Sequence, residues 1–164
     1  YASREPAETE NIGPAAGNGG LFIDQRVYLS YDPAWAKTSM GWYVVPWGLR
    51  KMLNWIQQTY GDLPIYVTEN GCSVAADTRE EAVADDFRVN FLREYTDAMW
   101  QAREEDQVPV QGYFCWSLLD NFEWCRGYAM RFGITHCDFE TLERTPKASF
   151  HAYHEIISAH HPES

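Results

Sequence analysis

Pro64-Ile65-Tyr66-Val67-Thr68-Glu69-Asn70-Gly71 is the stretch on which the fold turns. Four β-formers follow a proline and run into a polar turn, so Pro64 to Thr68 reads as a short buried strand that ends at Glu69-Asn70-Gly71. It delivers a carboxylate straight off an apolar run, where a charge is costly unless donors surround it. A lone Glu in such a place is by default a surface acid opening a turn. Thr9-Glu10-Asn11 serves as an internal control, because it has the same tripeptide as Thr68-Glu69-Asn70 with no strand before it. What sets Glu69 apart is the strand leading in and Gly71 behind it, which permits a sharp turn.

Working outward, Pro46 is an ideal first-turn residue for a helix carrying Leu49, Met52, Leu53, Ile56 and Tyr60 on one stripe, stopped by Gly61. Downstream, Phe87, Phe91, Leu92, Tyr95, Ala98, Met99 and Ala102 recur at helical spacing, predicting a helix from about Asp85 to Glu104. Val108 to Leu118 is a second apolar strand. Thr145 as cap and Pro146 as first residue predict a last helix with Phe150, Tyr153, His154 and Ile157 on one face. Alternating helices and strands at this spacing imply right-handed βαβ units, parallel pairing and strands covered on both faces: α/β architecture. Tyr1 to Gly20, polar and rich in Gly and Pro, reads as an exposed loop or arm. Residues 21–164 read as one segment, with an extended stretch around Phe22 to Ser30.

Composition narrows the function. Asp and Glu outnumber Lys and Arg by 24 to 13, a formal charge of −11, the wrong sign for tracking phosphate backbones or anionic lipid. No nucleic-acid or membrane partner is expected: no apolar run reaches the roughly 18 residues of a spanning helix, and the first positions hold no signal-peptide core. Cys72, Cys115, Cys125 and Cys137 lack pair spacing and read as buried free thiols, which points to the cytoplasm. His151/His154 and His160/His161 have no cysteine pair near enough for a recognisable zinc set, so neither metal nor cofactor is expected. A zinc module would have to bind through His151 or His154.

The second strand runs into Trp116-Ser117-Leu118-Leu119-Asp120-Asn121-Phe122-Glu123-Trp124, two indoles flanking two acids and an amide. Indole faces pack on the C–H faces of pyranose rings, while carboxylates and amides bond the hydroxyls around the edge. The combination suits a sugar. Taken singly, Trp116 and Phe122 also fit core aromatics and Asp120 a turn former.

Ile65 to Gly71, Trp116 to Trp124, Arg131-Phe132-Gly133-Ile134 and Arg144-Thr145-Pro146-Lys147-Ala148-Ser149 together resemble the C-terminal part of family 1 glycoside hydrolases, the β-glucosidases, over roughly Leu21 to Ser158. The resemblance implies the C-terminal part of a (β/α)8 TIM barrel. Pro64 to Glu69 would be its seventh strand and Val110 to Trp116 its eighth, the Tyr1 arm would follow the sixth, and the fold would be incomplete without an N-terminal portion. It implies hydrolysis of terminal β-D-glucosyl residues of a β-glucoside or cello-oligosaccharide, with retention, and leaves glucose, galactose and fucose open as glycone.

By the same resemblance Glu69 is the nucleophile, Glu123 accepts from the 4- and 6-hydroxyls, Trp124 lies beside them, Trp116 packs under the ring and Phe132 lines the pocket. Glu123 implies an unphosphorylated glycone, the Trp116-Ser117 peptide is expected to be cis, and Tyr1 corresponds to the tyrosine that hydrogen-bonds the nucleophile. The family's acid/base glutamate belongs to an Asn-Glu-Pro motif, and no Asn-Glu-Pro occurs here. Residues alone leave two further readings: Glu69 paired with Glu123 as acid and base, and a non-catalytic carbohydrate-binding or interaction module.

Overall fold

A computed structural model describes residues 2–4, 27–29, 31–76 and 78–160. Contacts divide the chain into two units, Tyr1–Ala36 and Lys37–Ser164. In the first, β1 (Ala2–Arg4) pairs antiparallel with β2 (Val27–Leu29). Tyr1 and most of the predicted arm lie outside the described residues.

The second unit is built around two parallel strands, β3 (Ile65–Asn70) and β4 (Val110–Cys115). Before them comes α1 (Pro46–Tyr60), with Pro46 in its first turn and Gly61 at φ 86° closing its end through an N–H bond to the Gln57 carbonyl. That positive φ suits a residue without a Cβ. Between the strands run α2 (Arg79–Ala84) and α3 (Asp86–Glu104). After β4, an antiparallel pair, β5 (Thr135–Cys137) and β6 (Arg144–Pro146), leads into α4 (Ala148–Ala159).

One face of the strand pair holds the core. Leu53 of α1, Met99 and Ala102 of α3, Val108 and Val110 are buried together, and Ile65, Val67 and Tyr113 pack against them. Toward the C-terminal ends of the strands a second cluster gathers Cys72, Phe91, Leu92 and Ile134, joined by Phe150, Tyr153 and Ile156 of α4. The stripe predicted on α3 is therefore the buried one.

Several expectations fail. Coverage of the strands is one-sided: Tyr66 and Phe114, on the face away from the helices, are each 57% exposed. Met52 and Tyr60 of α1 are also exposed, because no described element packs over that side of the helix. On α4 the inward residues are Ser149, Ala152, Tyr153 and Ile156, whereas His154 and Ile157 face outward.

The start of α4 differs as well. Thr145 and Pro146 are extended in β6, with Pro146 opposite Thr135, and the helix opens two residues later, behind Lys147. Lys147 donates its N–H to the Ile134 carbonyl and its ammonium to Asp120, and these bonds hold the segment in the hairpin rather than in a helical turn. Cys125 is exposed, not buried, since it sits on the turn after Glu123; all four thiols are free. No described helix is long and apolar enough to cross a membrane.

The α1–α3 packing is fastened at the surface. Arg50 reaches Asp106 in a two-pronged contact of 2.6 and 2.7 Å, and Asn54 donates to the same carboxylate at 2.7 Å. The Arg50 and Asn54 bonds pull the Asp106 carboxyl down to about 2, below the roughly 3.9 of an unfolded aspartate. Its stabilising contribution is thus fully present above pH ~4 and fades as pH falls through ~2. Asp106→Asn is expected to lower the thermal midpoint of the whole protein at pH 7, and the gap from the parent should shrink steadily from pH 4 to pH 2. Melting curves across that range check it.

Candidate active site

Parallel strands bring their C-terminal ends, and whatever side chains follow, to one edge of the sheet. The register pairs Asn70 with Cys115, so Glu69 at the end of β3 and Trp116 just beyond β4 emerge side by side. Two contacts fix the approach. The Trp116 N–H donates to the Asn70 carbonyl at 2.8 Å, and the Tyr113 hydroxyl donates to Asn70 Oδ1 at 2.7 Å. Burial pushes the Tyr113 phenol well above its ordinary range, so it stays a donor.

Gly71 is required by space rather than by dihedral angle. A Cβ placed there would stand 1.6 Å from the Trp116 carbonyl oxygen, far inside any contact distance. The neighbouring Trp116-Ser117 peptide is cis, as expected.

From Ser117 the chain is locked to the β5 side. Ser117 N–H donates to the Phe132 carbonyl, and Ile134 and Thr135 N–H donate back to Ser117 and Leu118. Asp120 is the anchor of this region. Its side chain is fully buried and accepts from Arg131 and Lys147 at 3.0 Å each and from the Gly133 N–H at 2.9 Å. Burial pulls the Lys147 ammonium below the usual lysine range, and the Asp120 carboxylate opposes that shift. Asp120 is therefore a structural hub and not a group that binds hydroxyls. Asn121 is likewise turned inward, donating to Ser117 Oγ at 2.9 Å. Phe122 is exposed and meets Tyr128 edge-on at 5.6 Å, so it is not a core aromatic.

These constraints shape a cleft of about 410 Å³ lined by Trp42, Glu69, Asn70, Gly71, Trp116, Glu123, Trp124 and Phe132. Glu69, Trp116, Glu123, Trp124 and Phe132, all singled out from sequence, come together here. Tyr1 lies outside the described residues. Trp124 is 79% exposed at the rim, Phe132 is buried in the wall, and neither Glu69 nor Glu123 pairs with a described cation. Both carboxylates face a cavity walled by indole and phenyl rings, an arrangement fit to grip a polyhydroxylated ring by its edges and faces. Just beneath, burial pushes the Cys72 and Cys115 thiols up to about 12, so neither competes as a nucleophile at neutral pH. Among the described residues no cluster of His, Cys, Asp and Glu could hold a metal.

Sequence reasoning missed Trp42. It is held by a turn in which its N–H donates to Thr38 Oγ1 and its carbonyl accepts from the Thr38 N–H, with Gly41 at φ 82° between. Its ring lies 5.8 Å from that of Phe132. Only the Gly41-Trp42 pair at the tip of a polar loop hinted at it.

A parallel strand pair packed on helices, with carboxylates and indoles converging at the C-terminal strand ends, is a piece of an α/β sheet with its functional edge. Comparison with known proteins agrees. The family model described as glycosyl hydrolase family 1 matches residues 5–162. The chain is 40% identical over 137 residues to human lactase/phlorizin hydrolase, covering 82% of this chain and 7% of that protein. It is 42% identical over 122 residues to the 1,4-beta-D-glucan glucohydrolase of Thermotoga neapolitana, covering 74% and 27%. Among solved structures, the family 1 β-glucosidase from Thermotoga maritima superposes with a TM-score of 0.75 at 35% identity, over 85% of this chain and 31% of that one. The chain belongs to glycosyl hydrolase family 1, and it forms a partial α/β segment of that family's TIM barrel. It spans less than a third of the length of each of these relatives.

Gly71→Ala should force the two strand ends apart. The expected result is loss of nearly all activity in the whole protein, together with a melting point lowered by several degrees. Assay and calorimetry on the purified variant check it.

Proposed function

We propose that this chain supplies the nucleophile and much of the glycone wall of a retaining β-glucosidase. The observation that carries the reading is the meeting of Glu69, Glu123 and three aromatic rings of the predicted set in one cleft at the ends of two parallel strands. The names of its relatives, β-glucosidases and glucan glucohydrolases among them, support a β-glucoside as substrate. So do the compounds in complex with similar Thermotoga maritima β-glucosidases, deoxynojirimycin and isofagomine lactam.

In this mechanism a Glu69 oxygen bonds to the anomeric carbon as the bond from that carbon to the aglycone oxygen breaks. The departing oxygen takes its proton from an acid carried by the rest of the barrel. Water, deprotonated by the same group, then attacks the anomeric carbon and releases Glu69, so two inversions give net retention. Glu123 binds the 4- and 6-hydroxyls, Trp116 underlies the ring, and Trp124 and Phe132 complete the pocket. Tyr1 is assigned to the hydrogen bond that orients Glu69. Residues 1–20 are assigned to the arm after the sixth strand and 21–164 to the C-terminal segment of the barrel. The N-terminal part of the same barrel is the partner that covers the open face bearing Tyr66 and Phe114. Four free thiols support a cytoplasmic setting.

Glu69→Gln in the assembled protein is expected to lower kcat/KM on an aryl β-glucoside by on the order of 10³-fold or more. A 2-deoxy-2-fluoro-glucoside should add its glycosyl mass to the peptide containing Glu69. Mass spectrometry showing the label on another side chain, or an undiminished rate, refutes the assignment; full binding with no turnover by the parent supports a carbohydrate-binding module instead.

For Glu123, exchange to Gln should cost about 10- to 100-fold in kcat/KM, the worth of a charge-assisted hydrogen bond. That penalty should shrink when the substrate lacks its 6-hydroxyl. A comparison of glucoside with 6-deoxyglucoside kinetics checks it, and equal penalties on both substrates contradict the contact.

A further inference from the structure

Among the described residues Arg88 is the largest side chain that is wholly buried, and nothing in the mechanism above uses it. It stands in the first turn of α3, one helix away from the chemistry in sequence. Each nitrogen of its guanidinium has a partner, among three residues. One nitrogen meets the equally buried carboxylate of Asp85, which also accepts from Ser149 Oγ of α4. The other two reach main-chain oxygens: Nε and Nη2 donate to the Cys72 carbonyl at 3.3 Å, and Nη2 donates to the Arg131 carbonyl at 2.8 Å. Val74 donates its N–H to that same Arg131 carbonyl.

Each carbonyl belongs to the neighbour in sequence of a residue that lines the cleft. Cys72 follows Gly71 on the turn that carries Glu69, and Arg131 directly precedes Phe132. No strand ladder joins these segments. We propose that Arg88 is a positioning residue for the reaction at Glu69: its planar fork staples the turn behind the nucleophile to the segment that builds the Phe132 wall, and so sets the distance between attacking oxygen and bound sugar. Asp85 balances the charge that makes this staple tolerable in the interior. A lysine would keep the charge opposite Asp85, but its three N–H donors share one nitrogen and cannot span both carbonyls as the planar fork does.

The inference rests on the assignment of Glu69 as nucleophile, and labelling by a 2-deoxy-2-fluoro-glucoside in the assembled protein separates the two. Arg88→Lys is expected to slow the labelling rate constant at saturating inhibitor by about 10- to 100-fold, the usual effect of a misplacement near 1 Å. The inhibitor's dissociation constant should change less than about threefold. Asp106→Asn, remote from the cleft, serves as the destabilised control and should label at the parental rate when held well below its melting point. In a second arm, guanidinium ion added to Arg88→Ala should restore labelling at concentrations that leave the folded fraction unchanged. Labelling of Arg88→Lys at the parental rate, an equal loss in Asp106→Asn, or a recovery that only follows the folded fraction overturns the staple. A label found away from Glu69 in the parent sinks the nucleophile assignment instead.

Discussion

Everything at the mouth of this segment depends on how closely two parallel strands can approach at their C-terminal ends. Ile65 stands opposite Val110, Val67 opposite Tyr113 and Asn70 opposite Cys115, with irregularities between. At the exits a glycine permits the approach: a Cβ at Gly71 would run into the Trp116 carbonyl, whereas one at Gly112 would displace only the exposed Tyr66 ring. With the backbones that near, Glu69 and Trp116 share one cavity, and a register slip of a single residue would turn the carboxylate to the opposite face.

The interior around this pairing contains buried charged groups, and they are arranged to hold loops rather than elements. Asp120 gathers two cations and a backbone N–H, and Arg88 gathers a carboxylate and two carbonyls. Such groups are costly to bury unless every donor and acceptor is met. Held by these partners, they give irregular backbone near the cleft a defined course where no sheet or helix ladder does so. The open strand face is the complementary feature. Tyr66 and Phe114 lie bare because no described element packs over that face, and two strands cannot curl around to cover themselves.

Much of this was legible in the chain as written. The spacing on α3, the proline that opens α1 and the apolar runs of β3 and β4 depend on local chemistry, and the elements formed where that chemistry placed them. Glu69 stood out because an apolar strand leads directly into it. Other signals were present but passed over: Thr78 to Glu81 is a capping pattern, and the Thr78 side chain does accept from the Glu81 N–H to open α2. The reading failed at Thr145-Pro146, whose helix-opening pattern is real yet yields to the bonds that Lys147 makes with Ile134 and Asp120.

The sequence by itself determined the local elements, the parallel α/β class and the carboxylate and indoles at the strand ends, because periodicity, turn chemistry and residue type act over a few neighbours. Only the tertiary structure decided which of those polar groups face the cleft and which serve the interior. Glu123 and Asp120 stand three residues apart on one irregular loop, where no repeat dictates direction. One opens toward the cavity while the other is drawn inward by Arg131 and Lys147, partners that arrive from segments beyond the reach of any local pattern.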